Sequence, residues 1–102
     1  MREIEYCETM KDVRRNVDRL DAELIALLAE RAQYVAQAAR IKDNPNIVRI
    51  PERIEEVVSN VKRLAKEHGL KPEIAEAAWR PMVDAFIEFE MEEYKRIKPE
   101  EF

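Results

Sequence analysis

From Lys11 to Lys42 the chain carries neither proline nor glycine, and its apolar residues return at helical spacing throughout. Val13, Val17, Leu20, Leu24, Leu27, Leu28, Tyr34, Val35, Ala38 and Ile41 form that pattern. Thr9-Met10-Lys11-Asp12 has the form of a capping box at its start. One helix over this span is about 48 Å long, beyond the usual range for a globular domain. A helix of that length limits what the remaining residues of a 102-residue chain can build around it.

Asp43-Asn44-Pro45-Asn46 is the strongest internal turn signal, and Ile47 to Ile50 reads as a continuing loop. Pro51 suits the first turn of a second helix, and Glu52 favours its positive end. Ile54, Val57, Val58, Val61, Leu64 and Ala65 give this helix an apolar stripe, and Lys66, His68 and Gly69 mark its stop. Pro72 and Glu73 open a third helix bearing Ile74, Ala78, Trp79, Met82, Val83, Phe86, Phe89 and Tyr94, which ends near Pro99. Pro81 lies inside it, where it kinks the helix or loosens its first turn.

Helices of about 32, 18 and 25 residues do not close into a compact monomer, because the first overhangs the others and a small domain hides little apolar surface. The expected fold class is therefore all-α, a three-helix chain in an intertwined homodimer. Residues 1–102 read as a single domain. The chain is 46% hydrophobic and 39% charged, a folding composition. Its net charge of −4, with cations interrupted by acids, gives no basis for nucleic-acid binding. No apolar run approaches a bilayer span, and Met1 is followed by charged residues rather than a signal peptide, so a cytoplasmic protein without a membrane partner is expected. Cys7, the single cysteine, cannot form an internal disulfide, and with one histidine it makes poor material for a metal site.

Several cations suit an acidic ligand. Arg31 and Lys42 are eleven residues apart, about 20° in direction and about 16 Å along the axis, so both can address one groove. Arg14 lies about 25 Å from Arg31 on the same helix, but an antiparallel partner chain could bring its own Arg14 beside them. Arg53, just inside the second helix, can hold a carboxylate through two parallel hydrogen bonds, or can form an exposed ion pair with a nearby Glu. Any of these cations can equally lay its stem on a helix flank with its head in water, and Arg49 can simply solvate the loop. Glu90 continues the apolar stripe of Val83 and Phe86. It can snorkel or pair with arginine; in a dry site, desolvation favours a protonated form that donates to a ligand oxygen. His68 has a capping or solvent role.

Val13-Arg14, Leu20-Asp21, Leu28-Ala29-Glu30-Arg31, Ala39-Arg40-Ile41-Lys42, Pro51-Glu52-Arg53-Ile54, Trp79-Arg80-Pro81 and Glu90 occur in an order and spacing that resembles the all-helical chorismate mutase family, which includes the isochorismate-pyruvate lyases. The resemblance covers nearly the whole chain. It implies an intertwined homodimer with two shared active sites, a place in aromatic amino acid biosynthesis and no cofactor. The implied catalytic residues are Arg14 from the partner and Arg31 on substrate carboxylates, Lys42 on a carboxylate and the ether oxygen, and Glu90 on the ether oxygen. Arg53 at the polar edge, Val48 in the covering loop, and Val83 and Phe86 as apolar walls are the implied substrate-binding residues. Glu90 stands where bacterial members commonly have Gln and fungal ones Glu. Ile50 and Ile54 replace acids that many mutases carry, as in the lyase branch, and the early Cys7, helix lengths and loop position agree with that branch.

The resemblance implies one of two substrates, chorismate or isochorismate. Rearrangement of chorismate to prephenate is intramolecular and needs no nucleophile or metal. The protein must hold a flexible dianion in its reactive geometry and stabilise charge growing on the ether oxygen. Chorismate mutase is the leading expectation, with isochorismate-pyruvate lyase activity and a noncatalytic metabolite-binding dimer as the alternatives.

Overall fold

The computed structural model describes residues 3–102. Met1, the start of the stretch read for a leader, lies outside them. Among the described residues the chain is helical without strands: α1 Met10–Ile41, α2 Pro51–Glu67 and α3 Pro72–Ile97, with short 3-10 turns at Pro45–Ile47 and Pro99–Glu101. None of these helices is long and apolar enough to cross a membrane. The chain divides into two compact units, one reaching Gln33 and one spanning Tyr34–Phe102, and the division falls inside α1.

In the first unit, the Asp12 amide donates to Thr9 Oγ1 at 3.2 Å, which is one arm of the expected capping box. The Asp12 carboxylate serves Arg15 instead, at 3.1 Å, and Arg15 also holds Glu5 at 2.7 Å, tying the segment before α1 to its first turns. Leu28 is half-buried, but the other large apolar residues of this part of α1 are uncovered. Met10, Val13, Val17, Leu20, Leu24 and Leu27 are all exposed. Helical spacing thus forms the expected stripe, and the stripe faces water.

The second unit has its own core. Ala39 of α1, Val48 of the connecting loop and Tyr94 of α3 are buried together, with Ile87 and Met91 packed against them. Helices α2 and α3 pack on each other, and each contributes buried positions, Val58 and Ala65 from α2, Ala75 and Val83 from α3. Pro51 opens α2 as expected. Its stop is a glycine cap: Gly69 sits at φ 77°, its N–H donates to the Lys66 carbonyl at 3.2 Å, and the Leu70 N–H reaches the Ala65 carbonyl at 2.8 Å. α3 continues through Pro81 without a break.

Two local features differ from the sequence reading. The loop after α1 is not uniformly irregular: Asn44 accepts from the Asn46 N–H at 2.9 Å and caps a 3-10 turn that includes Ile47. α3 does end near Pro99, at Ile97, but Pro99 itself opens a second 3-10 turn, Pro99–Glu101, that the sequence reading did not include.

A polar clasp joins α2 to α3. Both terminal nitrogens of Arg80 meet the two oxygens of Glu55 at 2.8 Å, its Nε meets Glu76 at 2.7 Å, and Lys62 reaches Glu76 at 3.1 Å. The hydrogen bonds from Arg80 hold both carboxyls below the usual carboxylate range, with Lys62 adding to the effect at Glu76. A depressed carboxylate contributes stability that is present above its unfolded value and is lost as pH falls through its folded one. Stability should therefore drop on acidification through and below the ordinary carboxylate range, and Arg80→Ala should flatten that acid slope. Urea unfolding between about pH 3 and 7 tests this, and parallel slopes in the two proteins would remove the clasp as its source.

Candidate active site

The end of α1, the loop after it and the middle of α3 converge on one cluster. Lys42 follows the last residue of α1, with its N–H still donating to the Ala38 carbonyl at 2.9 Å. Its ammonium lies 2.7 Å from Glu90 Oε2. That contact is an ion pair without the alignment of a hydrogen bond. The same ammonium donates to the Val48 carbonyl at 3.4 Å. Glu90 is only 7% exposed and is the one buried charged residue among those described. A carboxylate in so dry a position is costly unless an opposite charge lies against it, and Lys42 supplies that charge.

Val83 and Phe86 precede Glu90 by seven and four residues on α3, which puts the three on one helical face. Val83 is buried and Phe86 half-buried. This combination of a fixed ammonium, a carboxyl group and apolar neighbours suits an oxygen-rich ligand with a nonpolar frame. The cation attracts negative charge, and either polar group can reach a ligand oxygen once their mutual contact opens.

Of the residues expected at a site, Lys42, Val48 and Glu90 are thus brought into contact. Arg53 is not with them. It pairs with Glu56 one turn along α2, and its side chain is 65% exposed, the alternative its sequence position left open. Arg14 and Arg31 belong to the first unit, where Arg14 is exposed and makes no ion pair among the described residues, and Arg31 is half-buried. Arg49 does more than solvate the loop, since it pairs with Asp84 of α3 at 3.1 Å.

Lys98 escaped the sequence reading. It is the C-cap residue of α3, its ammonium donates to the Lys42 carbonyl, and the same group lies 4.6 Å from the centre of the Tyr94 ring. No pattern in the chain couples two lysines 56 residues apart. Among the described residues no three His, Cys, Asp or Glu side chains gather as a metal site.

Residues 13–91 match the family model for chorismate mutase type II, which covers most of the chain. The chain belongs to that family. It is 29% identical to an isochorismate pyruvate lyase of Pseudomonas aeruginosa over 85% of this chain and 86% of that protein. A bifunctional chorismate mutase/prephenate dehydratase of Aquifex aeolicus is 34% identical over 89% of this chain but only 25% of its own length. A chorismate mutase of Methanocaldococcus jannaschii is 29% identical over 66% of this chain and 69% of that protein.

Removing one member of a buried ion pair strands the other. Lys42→Ala should cost about 3 kcal/mol of folding stability, and adding Glu90→Gln should recover most of it because no buried charge then remains. Urea denaturation of the single and double variants measures both effects, and equal losses would show that the stranded carboxylate is not the cause.

Proposed function

We propose that the protein is a chorismate mutase, rearranging chorismate to prephenate as a cytoplasmic, intertwined homodimer in which residues 1–102 form one domain. The observation that carries this reading is the Lys42–Glu90 pair beside Val48, in a chain of the chorismate mutase type II family. Lys42 meets the ether oxygen, where negative charge grows as the carbon–oxygen bond breaks, and Glu90 serves the same oxygen in the protonated form, the one that donates. Arg31 and the partner's Arg14 take the substrate carboxylates. Arg53 guards the polar edge after leaving Glu56, and Val48, Val83 and Phe86 shape the apolar walls.

The reaction reorganises electrons within one molecule, so the protein contributes geometry and charge rather than a nucleophile. Holding the dianion folded removes much of the entropic barrier. A cation fixed at the ether oxygen favours the transition state over the ground state, since the oxygen's charge is larger there.

The exposed stripe Met10, Val13, Val17, Leu20, Leu24 and Leu27 supports the dimer, because an amphipathic helix of this length needs cover that the chain does not supply. A second copy covers it and brings Arg14, exposed in one chain, to the other chain's site.

Isochorismate-pyruvate lyase activity is the second reading. It is favoured by Ile50 and Ile54, apolar where many mutases carry acids, and by the near-full-length match to the Pseudomonas aeruginosa lyase. Glu90 is the counterweight. Purified protein given chorismate and isochorismate separately, with prephenate, salicylate and pyruvate quantified, decides between them. Efficient prephenate formation supports the mutase, efficient salicylate and pyruvate formation the lyase. Neither product leaves a noncatalytic metabolite-binding dimer.

Two variant experiments test the assigned roles. In a Glu90→Gln background, where Lys42 leaves no buried charge behind, Lys42→Ala should lower kcat by about 10²–10³-fold, the range for an oxyanion donor. A change under about threefold would remove Lys42 from the chemistry. If sites are shared, Arg14→Ala and Lys42→Ala/Glu90→Gln chains, each inactive alone, should regain about a quarter of wild-type activity when refolded together, since half the dimers are mixed and each has one intact site. No regain would place each site within a single chain.

A further inference from the structure

Both backbone groups of Lys42 are anchored, and they are anchored by different parts of the molecule. Its N–H belongs to the last turn of α1 through Ala38. Its carbonyl, beyond the helix, accepts from the ammonium of Lys98, which approaches from the far end of α3. A free carbonyl at a helix C-terminus would otherwise take water and leave the final turn free to fray. A cation there satisfies the oxygen and also complements the negative end of the helix.

Lys98 is itself held. Its own N–H donates to the Tyr94 carbonyl at 2.9 Å, and its ammonium lies 4.6 Å from the centre of the Tyr94 ring. Tyr94 is fully buried, its hydroxyl donates to Glu101, and Phe102 meets its ring edge-on at 6.1 Å between centroids. Lys95 lies 5.2 Å over the Phe102 ring. The chain end is therefore a latch built on the same Tyr94 that forms the core with Ala39 and Val48. On the side-chain end of Lys42, Val48 and Glu90 make the other contacts.

We propose that Lys98 is a positioning residue for Lys42, and that the C-terminal latch from Lys98 to Phe102 sets how firmly the Lys42 ammonium is presented to substrate. This rests on the catalytic reading given above. Lys98 touches no reacting atom in it and acts through the Lys42 backbone. A side chain that must meet one oxygen in the transition state is sensitive to small displacements of its own main chain.

The test compares Lys98→Met, which keeps an apolar stem but has no donor, with Lys98→Arg, which restores a cationic donor. Steady-state kinetics on the substrate that the wild type turns over and thermal unfolding are read for each. Lys98→Met should lower kcat by roughly tenfold with KM within about twofold, and Lys98→Arg should return most of the loss. Tyr94→Phe, which cuts the bond to Glu101 but keeps the ring, should fall between them. Backbone ¹⁵N relaxation should show the Lys42 and Asp43 amides less ordered in Lys98→Met. An unchanged kcat in Lys98→Met, an equal loss in Lys98→Arg, or a loss that appears only where the protein is partly unfolded overturns the proposal. A wild-type chain inactive on both substrates removes the catalytic reading and this proposal together, whereas an active wild type with an indifferent Lys98→Met removes the proposal alone.

Discussion

Glu90 carries a carboxyl group into a buried position on α3, and the 2.7 Å approach of Lys42 makes that placement tolerable. Several other features of the second unit follow from this pairing. The end of α1 must lie where its first residue beyond the helix can reach the middle of α3. The loop after it must turn so that Val48 is buried and its carbonyl takes a second contact from the same ammonium. Ion pairs of this kind contribute little net stability compared with apolar packing, because desolvation cancels most of the attraction. Their retention in a short chain calls for another reason. Two opposite groups, already desolvated and held at the edge of an apolar wall, are preorganised for a ligand that carries charge on oxygen.

Burial is distributed unevenly between the two units. Ala39, Val48, Val58, Ala65, Ala75, Val83 and Tyr94 are the buried apolar residues among those described, and all belong to the second unit. The first unit holds the first part of amphipathic α1, whose large apolar residues, Leu28 apart, are exposed. Helix propensity does not stabilise so long an element by itself, and helices in proteins draw most of their stability from packing of the apolar face. The proposed second copy answers both this energetic problem and the separate placement of Arg14. The tie between Glu5 and Arg15 is an exposed ion pair and offers no substitute for such packing.

The features that sequence made legible are those set by neighbours along the chain. Pro51, Pro72 and Gly69 act within one turn of themselves, so the starts of α2 and α3 and the stop between them are readable from residue type. The span of α1 follows from a period sustained over thirty-two residues with no breaker. Glu90 stood out because an acid in the phase of Val83 and Phe86 breaks an apolar stripe. Its partner could not be read in the same way. Lys42 lies forty-eight positions earlier, and periodicity says which way a residue faces on its helix, not which helix it faces. The resemblance to the chorismate mutases brought the two together around a ligand oxygen; their direct contact with each other is a feature of the folded chain. Arg53 shows the converse. Both of its readings were open, and a glutamate one turn away on the same helix decided its partner. Glu76 and Arg80 stand four residues apart on α3, a spacing visible in the sequence, but the contacts of Arg80 with Glu55, of Lys62 with Glu76 and of Lys98 with Lys42 depend on proximity across elements and left no pattern there.

Core packing, the chain end and the proposed site all pass through Tyr94. Burial first, and the hydrogen bond to Glu101 second, push its hydroxyl up to about 12, so the neutral phenol is what the folded state holds. A group raised in the folded state lends stability below its unfolded value and loses it as pH climbs through the folded one. The alkaline limit of the fold should therefore lie between about 10 and 12, where phenols in the unfolded chain ionise and Tyr94 still resists. Tyr94→Phe removes that dependence while keeping the ring over which Lys98 lies. Unfolding curves through this range, followed with tyrosinate absorbance, should show wild-type stability declining and the Tyr94→Phe curve flatter. If both decline alike, the alkaline loss arises elsewhere, and the phenol's link to the chain end is not what holds the latch closed.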